Sequence, residues 1–271
     1  MARSFQRYLA DTDGNFRLKD HAAADNSCFD GEKEQGQERL QTLRDKLANL
    51  QERIFAENEQ KVLVVLQAMD AAGKDSTVRD VLRSTNPMGV HAYGFGRPSD
   101  EEIAHDYLWR IHAHTPATGE IAIFNRSHYE DVLVVRVNDL VEKDRWKKRY
   151  RHIREFESML VDEGVTIVKF FLNISPDAQA EQLQQRIDEP AKRWKFDPRD
   201  LEVRARWDEY MEAYEDAIKQ TSTQDAPWYV IPADRRWYRK LAVAEILVDL
   251  LEGLDPQYPP PAEGVEGMVI S

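Results

Sequence analysis

One segment of this chain, Ala-Met-Asp-Ala-Ala-Gly-Lys-Asp-Ser-Thr at 68–77, has the side chains and spacing of a phosphate-binding loop. Gly73 and Lys74 match the pattern of Gly, four residues and Gly-Lys-Ser/Thr, whereas Ala68 and Asp75 depart from it. A loop that leads into a helix N-terminus binds phosphate oxygens, and a lysine there adds a positive charge between two phosphoryl groups. The alternative is a tight turn at Gly73 with Lys74 in solvent. The residues that we predict to bind phosphate are Ala72, Gly73, Lys74, Asp75 and Ser76.

Asp70 is an unexpected residue inside a phosphate-binding loop, because its carboxylate would repel the ligand. Its presence is explained if it binds Mg²⁺, directly or through a water, and the metal bridges to the phosphates. We therefore predict that Asp70 is a metal ligand and that Asp70 and Lys74 are both catalytic.

A second polar segment, Asn-Arg-Ser-His-Tyr-Glu-Asp at 125–131, directly follows an apolar run. Ligands of open α/β sheets bind beyond the carboxyl ends of the strands, so this segment should face the phosphate loop if the two strands are neighbours. Asn125 could coordinate Mg²⁺ or its waters, and Arg126 could bind phosphoryl oxygens with two parallel hydrogen bonds. Glu130 and Asp131 are predicted to add metal ligands.

Two residues of this second segment admit a structural interpretation. His128 could be taken for a general base, but transfer to a phosphate acceptor needs little proton abstraction, so we interpret it as a structural hydrogen-bonding residue. Glu130 has an alternative of the same kind, in which it caps the local helix or forms a salt bridge with Arg136.

Short apolar runs alternate with amphipathic stretches along the chain, which predicts parallel strands joined by helices. The predicted strands are 62–66, 121–124, 165–172 and 228–231, with 89–95 as a weaker candidate. The predicted helices are 32–59, 76–84, 100–114, 139–163, 200–220 and 236–253. Together they give an α/β fold with a mainly parallel sheet that helices cover on both faces, and each polar segment follows a strand of that sheet.

The composition is that of a globular protein that does not span a membrane. The net charge of the 271 residues is −12, which argues against a general binder of nucleic acid or membrane surfaces. No apolar run reaches the length of about 18 residues that spans a bilayer, and the start lacks an apolar signal core, so a cytoplasmic protein is expected. A single cysteine, Cys28, excludes an internal disulfide. Three basic clusters, at 143–154, 186–199 and 235–240, nevertheless favour an anionic ligand.

Taken together, the two polar segments resemble those of the polyphosphate kinase 2 family, which transfers phosphate between inorganic polyphosphate and nucleotides. The family's Asp before Gly-Lys is matched by Asp70, and its Asp-Arg-Ser motif is matched by 125–127 with Asn125 in place of Asp. This departure, with Glu130 five residues on, is similar to the family's third class, whose members phosphorylate both AMP and ADP. The family's basic lid motif is similar to the segment Arg-Ile-Asp-Glu-Pro-Ala-Lys-Arg-Trp-Lys-Phe at 186–196.

The resemblance implies a three-layer α/β/α P-loop kinase-like sandwich with a helical lid at about 176–206, Mg²⁺ as cofactor, and a homodimer or homotetramer. It also implies a basic channel for polyphosphate and an adenine nucleotide as acceptor, with guanine nucleotides left open. Arg136 is assigned to nucleotide binding. The predicted catalytic residues are Asp70, Lys74, Asn125, Arg126, Glu130 and Arg186. The predicted polyphosphate-binding residues are Arg126, Arg186, Lys192, Arg193 and Lys195.

We expect a single domain at 32–253, preceded by an irregular arm at 1–31 and followed by a proline-rich tail at 254–271. Two other functions stay open: a nucleoside monophosphate kinase that uses ATP as donor, and a non-catalytic nucleotide-binding scaffold assembled through the helix at 32–59. A switch GTPase would need an Asn-Lys-x-Asp segment to read guanine, and the sequence contains none. Synthesis of ATP from ADP with polyphosphate as the only donor would separate these functions.

Overall fold

A computed structural model of the chain describes residues 5–265 and 267–270. The strands in this part are β1 (Lys61–Gln67), β2 (Val90–Gly94), β3 (Glu120–Asn125), β4 (Val165–Asn173) and β5 (Trp228–Pro232). They form one parallel sheet in the order β2-β3-β1-β4-β5. Strand β1 therefore lies at the centre of the sheet with β3 and β4 as its neighbours. Its residues after Lys61 are all buried, as expected for a strand that is covered on both faces.

Helices cover this sheet and complete the predicted α/β fold. Their bounds are α1 (Lys33–Glu57), α2 (Lys74–Val81), α3 (Asp100–Ala104), α4 (Trp109–His112), α5 (Val134–Val137), α6 (Lys143–Asp162), α7 (Pro176–Asp188), α8 (Arg199–Ala205), α9 (Trp207–Thr221) and α10 (Arg236–Leu254). Helices α1, α2 and α10 pack against one another, and α5, α6 and α9 form a second packed group. The fold class predicted from the sequence is confirmed.

The apolar stripe of the first helix is buried as the sequence predicts. Helix α1 begins after a capping box, in which the Glu32 side chain accepts from the third helical N–H and Gln35 accepts from the Glu32 backbone. It ends at Asn58, which adopts the left-handed conformation (φ 57°) that terminates many helices. The stripe residues, all buried, are Leu40, Leu43, Leu47, Leu50 and Ile54.

Two predicted helices are interrupted, and each break has a local cause. The predicted helix 100–114 divides into α3 and α4, because the Asp106 carboxylate accepts from the backbone N–H of Leu108 (2.9 Å) and stabilises a turn instead. The predicted helix 200–220 divides into α8 and α9 at Arg206, whose backbone (φ −104°, ψ 30°) is not helical. The basic lid motif is a 3₁₀-helix at Pro190–Lys195, preceded by the extended residue Glu189, as expected before proline.

The N-terminal arm packs onto the domain although little of it is helical or extended. Its side chains Phe5, Tyr8 and Phe16 are buried, and the backbone N–H of Ala10 donates to Trp228 O of β5 (2.8 Å). The hydroxyl groups of Tyr8 and Tyr238 are 2.5 Å apart, which joins the arm to α10. Within the described ranges, no helix combines the length and the apolar character needed to cross a bilayer.

Candidate active site

The two polar segments predicted to carry the chemistry lie side by side at the carboxyl ends of β1 and β3. The strands pair in parallel with Leu66 opposite Asn125, so their loops begin at the same level. Both loops contain a non-glycine residue with positive φ, Ala71 (φ 64°) in the first and Arg126 (φ 63°) in the second. Such conformations cost about 1–3 kcal/mol and persist where the surroundings enforce them, as they often do at functional sites.

Lys74 is the first residue of α2, and its side chain folds back across the loop. Nζ donates to the carbonyl oxygen of Ala68 (2.7 Å), and the side chain is buried. Burial lowers the pKa of Lys74, with the Asp70 carboxylate opposing this change. Gly73, with φ 96°, makes the turn into the helix, as the sequence indicates. The alternative that leaves Lys74 in solvent is therefore wrong.

Asp70 and Arg126 join the two loops through an ion pair. Arg126 Nη2 donates to Asp70 Oδ1 at 2.7 Å. Burial opposes ionisation of Asp70, but the charges of Lys74 and Arg126 outweigh it and hold the pKa of that carboxyl below its usual range. Asp70 is thus a carboxylate at neutral pH, as a metal ligand must be.

Glu130 lies close to this ion pair in a drier environment. Burial raises the pKa of the Glu130 carboxyl, and the Arg126 and Lys74 charges only partly offset that effect. Gln67, at the end of β1, donates its amide to Glu130 Oε1 (3.0 Å) in the amide orientation that satisfies both groups. The two carboxyl groups of the site therefore have pKa values displaced in opposite directions, which is a common feature of catalytic centres.

Asn125 and Asp75 meet across the mouth of the same loops. Asn125 Nδ2 donates to Asp75 Oδ1 at 2.5 Å. Asp75 stands where most phosphate loops have Ser or Thr, and here it fixes the amide of the second segment. Ser76, the next residue, bonds through its hydroxyl to Gly73 O (3.0 Å).

Asp131, which was predicted as a metal ligand in this cluster, is paired with an arginine outside it, and its role as a ligand stays a prediction. Its carboxylate pairs with Arg149 Nη1 (2.8 Å), and burial raises its pKa against the influence of that arginine. Neighbouring side chains of a 3₁₀ turn leave the backbone in different directions, so Asp131 and Glu130 face different surroundings. The salt bridge between Glu130 and Arg136, one of the two structural alternatives for Glu130, is not formed, because Arg136 pairs with Glu212 and Asp216.

A buried polar network holds the turn that carries Glu130. His128 Nε2 lies 3.2 Å from Glu157 Oε1, and the Tyr129 hydroxyl donates to the same oxygen at 2.8 Å. Lys169 Nζ donates to the other oxygen, Glu157 Oε2, at 2.5 Å. The Lys169 and Glu157 side chains are 0% and 2% exposed, so the pair is fully withdrawn from water. His128 accordingly has the structural role interpreted from the sequence.

A cavity of about 850 Å³ opens above the two loops. It is lined by nine Lys or Arg and four Asp side chains, an excess of five positive charges on a chain whose net charge is −12. From the lid, Arg186, Lys192 and Lys195 line this cavity, and Arg186 is oriented by Asp200 (3.1 Å). Positively charged side chains are thus concentrated in one place.

Three predicted binding residues do not line this cavity: Ala72, which is fully buried in the loop, Arg136 and Arg193. Arg193 does not line it, and its Nε donates to the carbonyl oxygen of Ile187 (2.8 Å) within the lid. Arg136 lines a separate cavity of about 560 Å³, where its guanidinium lies 4.9 Å from the centroid of the Trp146 ring. The structure therefore does not bring Arg136 to the phosphate loop.

Two arginines of α10 line the main cavity, although the sequence assigned them only to a basic cluster and not to the site residues. Arg236 donates to the side chains of Gln182 and Gln185 on α7, and Arg239 is buried beneath the phosphate loop. Both belong to the basic cluster at 235–240 noted in the sequence. The sequence did contain a signal for their position, because the cluster follows the last strand and the loops after parallel strands lie at the same edge of the sheet.

The family model described as "Polyphosphate kinase 2 (PPK2)" matches residues 30–259. The chain belongs to the polyphosphate kinase 2 family. It is 57% identical to an AMP/ADP-polyphosphate phosphotransferase of Meiothermus ruber over 98% of this chain and 99% of that protein. It is 44% identical to an ADP-polyphosphate phosphotransferase of Rhodopseudomonas palustris, with coverage of 84% and 83%.

A solved structure agrees with this assignment. The crystal structure of polyphosphate kinase 2 from Arthrobacter aurescens TC1 superposes with a TM-score of 0.93 at 40% identity, covering 97% of this chain and 94% of that one. The fold and the order of the elements that carry the two loops are therefore those of the family.

Proposed function

We propose that the protein transfers phosphoryl groups between inorganic polyphosphate and adenine nucleotides, and that it accepts both AMP and ADP. The observation that carries this proposal is the excess of positive charge around the phosphate loop. A polyanion needs such a cavity, and a chain with a net charge of −12 would otherwise repel it. Arg126, Arg186, Lys192 and Lys195 are the side chains that we assign to polyphosphate.

The choice of acceptor rests on similarity to the relative from Meiothermus ruber, whose name gives AMP and ADP. Asn125 and Glu130 support it, because they are the residues by which the second segment resembles the family's third class. A site that phosphorylates both AMP and ADP must hold the terminal phosphate of the acceptor at two positions, which differ by the length of one phosphate group. Asn125 carries a neutral amide, so we assign Glu130 as the carboxyl group near the point of phosphoryl transfer.

Mg²⁺ fits the donors of this site. The ion commonly binds through one or two carboxylates and completes its shell with substrate phosphates and waters. The described part of the chain has no cluster of three acidic, His or Cys side chains, so Asp70 would bind the ion and Glu130 would add its charge nearby. When bound, the ion would neutralise phosphoryl oxygens.

The side chains act by alignment and charge neutralisation. Lys74 and the amides at the start of α2 hold a phosphoryl group, while Arg126, fixed by Asp70, faces the same space from the second loop. Arg186 supplies a further positive charge from the lid. Phosphoryl transfer needs little more than positioned reactants and matched charge, so a covalent protein intermediate is not required.

The proposal is tested by supplying polyphosphate as the only donor and measuring ADP and ATP formed from AMP, and ATP formed from ADP. Lys74→Ala and Asp70→Asn should each lower the rate by about 10²-fold, the usual cost of one preorganised charged group. Far-UV circular dichroism should show that both variants fold. Wild-type rates in either variant, or activity with ATP but not polyphosphate as donor, would contradict the proposal.

Three expectations from the sequence stay predictions. They are a cytoplasmic location, a homodimer or homotetramer, and a choice of base that leaves guanine nucleotides open. Sedimentation velocity would measure the oligomeric state. Side-by-side rates with adenine and guanine nucleotides would measure the choice of base.

A further inference from the structure

Arg239 lines the main cavity and bonds directly to the phosphate loop. It lies in the first turn of α10 and is 3% exposed. Its Nη1 donates to Ala72 O (2.6 Å), its Nε to Thr77 Oγ1 (2.9 Å), and its Nη2 to Ser76 Oγ (3.0 Å). One guanidinium therefore connects the loop to the first turn of the helix that follows.

The contact at Gly73 shows how closely loop and guanidinium are fitted. A Cβ atom placed on Gly73 would lie 2.4 Å from Arg239 Nη2, well inside contact distance. Gly73 therefore serves two purposes, since it also adopts φ 96°. The backbone of the loop can reach its observed position over Arg239 only without a side chain there.

The charge of Arg239 has no carboxylate partner among the residues that the structure describes. Its hydrogen-bond acceptors are carbonyl and hydroxyl oxygens, whereas Arg126 and Arg186 in the same cavity pair with Asp70 and Asp200. A buried, unpaired charge is costly. Burial lowers the pKa of Arg239 to about 10, and the charge of Arg236 adds to this, with Asp80 opposing.

We propose that Arg239 is a positioning residue whose counter-charge is the phosphate held by the loop. It would fix the Ala72 carbonyl on one side of the loop, so that the loop N–H groups face the ligand. Its positive charge would then be matched only when a phosphate is bound. This inference rests on the proposed function, because it assumes that the loop binds phosphate.

A purely structural role for Arg239 predicts a different result. In that case its hydrogen bonds alone would matter, and a neutral side chain of similar length would be as effective as a charged one. Lys and Gln both lack the forked guanidinium, but only Lys carries the charge. Comparison of Arg239→Lys with Arg239→Gln therefore isolates the charge.

The experiment measures binding of inorganic tripolyphosphate by isothermal titration calorimetry, without nucleotide, and the Tm of each ligand-free protein. We expect Arg239→Gln to bind about 10²-fold more weakly than wild type, and Arg239→Lys to recover about tenfold of that loss as a point charge without the fork. Arg39→Gln is the matched control, because Arg39 pairs with Glu245 on α10 away from the cavity. It should lower Tm and leave tripolyphosphate affinity unchanged.

The possible outcomes decide between the interpretations. Equal affinities for the Lys and Gln variants of Arg239, or wild-type affinity in the Gln variant, overturn the inference while the proposed function stands. Failure of the wild-type protein to bind tripolyphosphate overturns both. If Arg239→Gln does not fold, Arg239→Met replaces it as the uncharged variant, since an apolar side chain of similar length avoids burying an unpaired amide.

Discussion

Replacing Lys169 by Met should be among the most destabilising single changes in this protein. The substitution keeps the length of the side chain and removes the ammonium that donates to Glu157 Oε2 (2.5 Å), Tyr129 Oη (3.0 Å) and Thr221 O (2.8 Å). Glu157 would be left as a buried carboxylate that is only 2% exposed. The structure therefore offers no route by which water could replace the lost partner.

The magnitude follows from that burial. Removing one partner of a buried ion pair costs about 3–5 kcal/mol, because the other charge stays behind uncompensated. For a chain of this size each kcal/mol lowers Tm by roughly 2–4 °C, so a Tm decrease of roughly 6–20 °C is expected. The control is the exposed pair Arg151–Glu155 on α6, the helix that also carries Glu157. Its two side chains are 60% and 59% exposed. Arg151→Met should cost about 0.5 kcal/mol or less.

Urea denaturation followed by tryptophan fluorescence measures these differences, since Trp228 contacts the network through Thr221 (Nε1 to Oγ1, 3.0 Å). The double variant Lys169→Met/Glu157→Gln should be more stable than Lys169→Met alone, because the amide oxygen still accepts from Tyr129 and no charge is buried. A cost below about 1 kcal/mol for Lys169→Met, the value of an ordinary hydrogen bond, would refute the reasoning. So would a double variant no more stable than the single one.

Four further predictions concern the site. Burial raises the pKa of Glu130 in the folded protein, so the ionised form of this residue disfavours folding at neutral pH. Glu130→Gln should therefore raise the Tm at pH 7.5. This gain should shrink as the pH falls below the pKa of glutamate in the unfolded chain, near pH 4. The same variant should slow AMP use more than ADP use in initial-rate assays, and equal losses would contradict a role in acceptor depth. Lys192→Gln/Lys195→Gln should raise KM for long polyphosphate several-fold and weaken its salt dependence, whereas Arg193→Gln should change neither. Gly73→Ala should lower activity by at least about 10²-fold, because its Cβ would lie 2.4 Å from the guanidinium beneath the loop; near-normal rates would contradict that contact.

The sequence was sufficient to predict the framework of this protein. Continuous apolar runs identified β1, β3, β4 and β5, whereas β2 was only a weaker candidate. The segments 68–77 and 125–131 were placed at the carboxyl ends of the strands, where the structure has them. Local signals of this kind work because strand burial and loop composition are properties of neighbouring residues. The ion pair between Asp70 and Arg126 then follows from parallel pairing of β1 and β3.

What the sequence could not supply was the direction of individual side chains. Asp131 follows Glu130 directly, yet it binds Arg149 in different surroundings, and no periodicity distinguishes the two in a short 3₁₀ turn. Arg239 was missed for another reason, because it lies 167 residues along the chain from Ala72, to which it donates. Contacts of that range depend on packing of the complete sheet.

The arm that packs on α10 has a consequence for synthesis of the chain. The Tyr8–Tyr238 contact joins positions 230 residues apart. At translation rates of about 5–20 residues per second, roughly 10–50 s therefore pass between synthesis of Tyr8 and synthesis of Tyr238. Phe5, whose ring centroid lies 6.3 Å from that of Tyr238, lacks this neighbour during that interval, and the central strand β1 is synthesised before both of its neighbouring strands. The phosphate loop is made early, but it lacks its contact with Arg239 until α10 emerges. Nascent chains should therefore depend on chaperones that shield apolar segments, and they should acquire phosphate binding only late in synthesis.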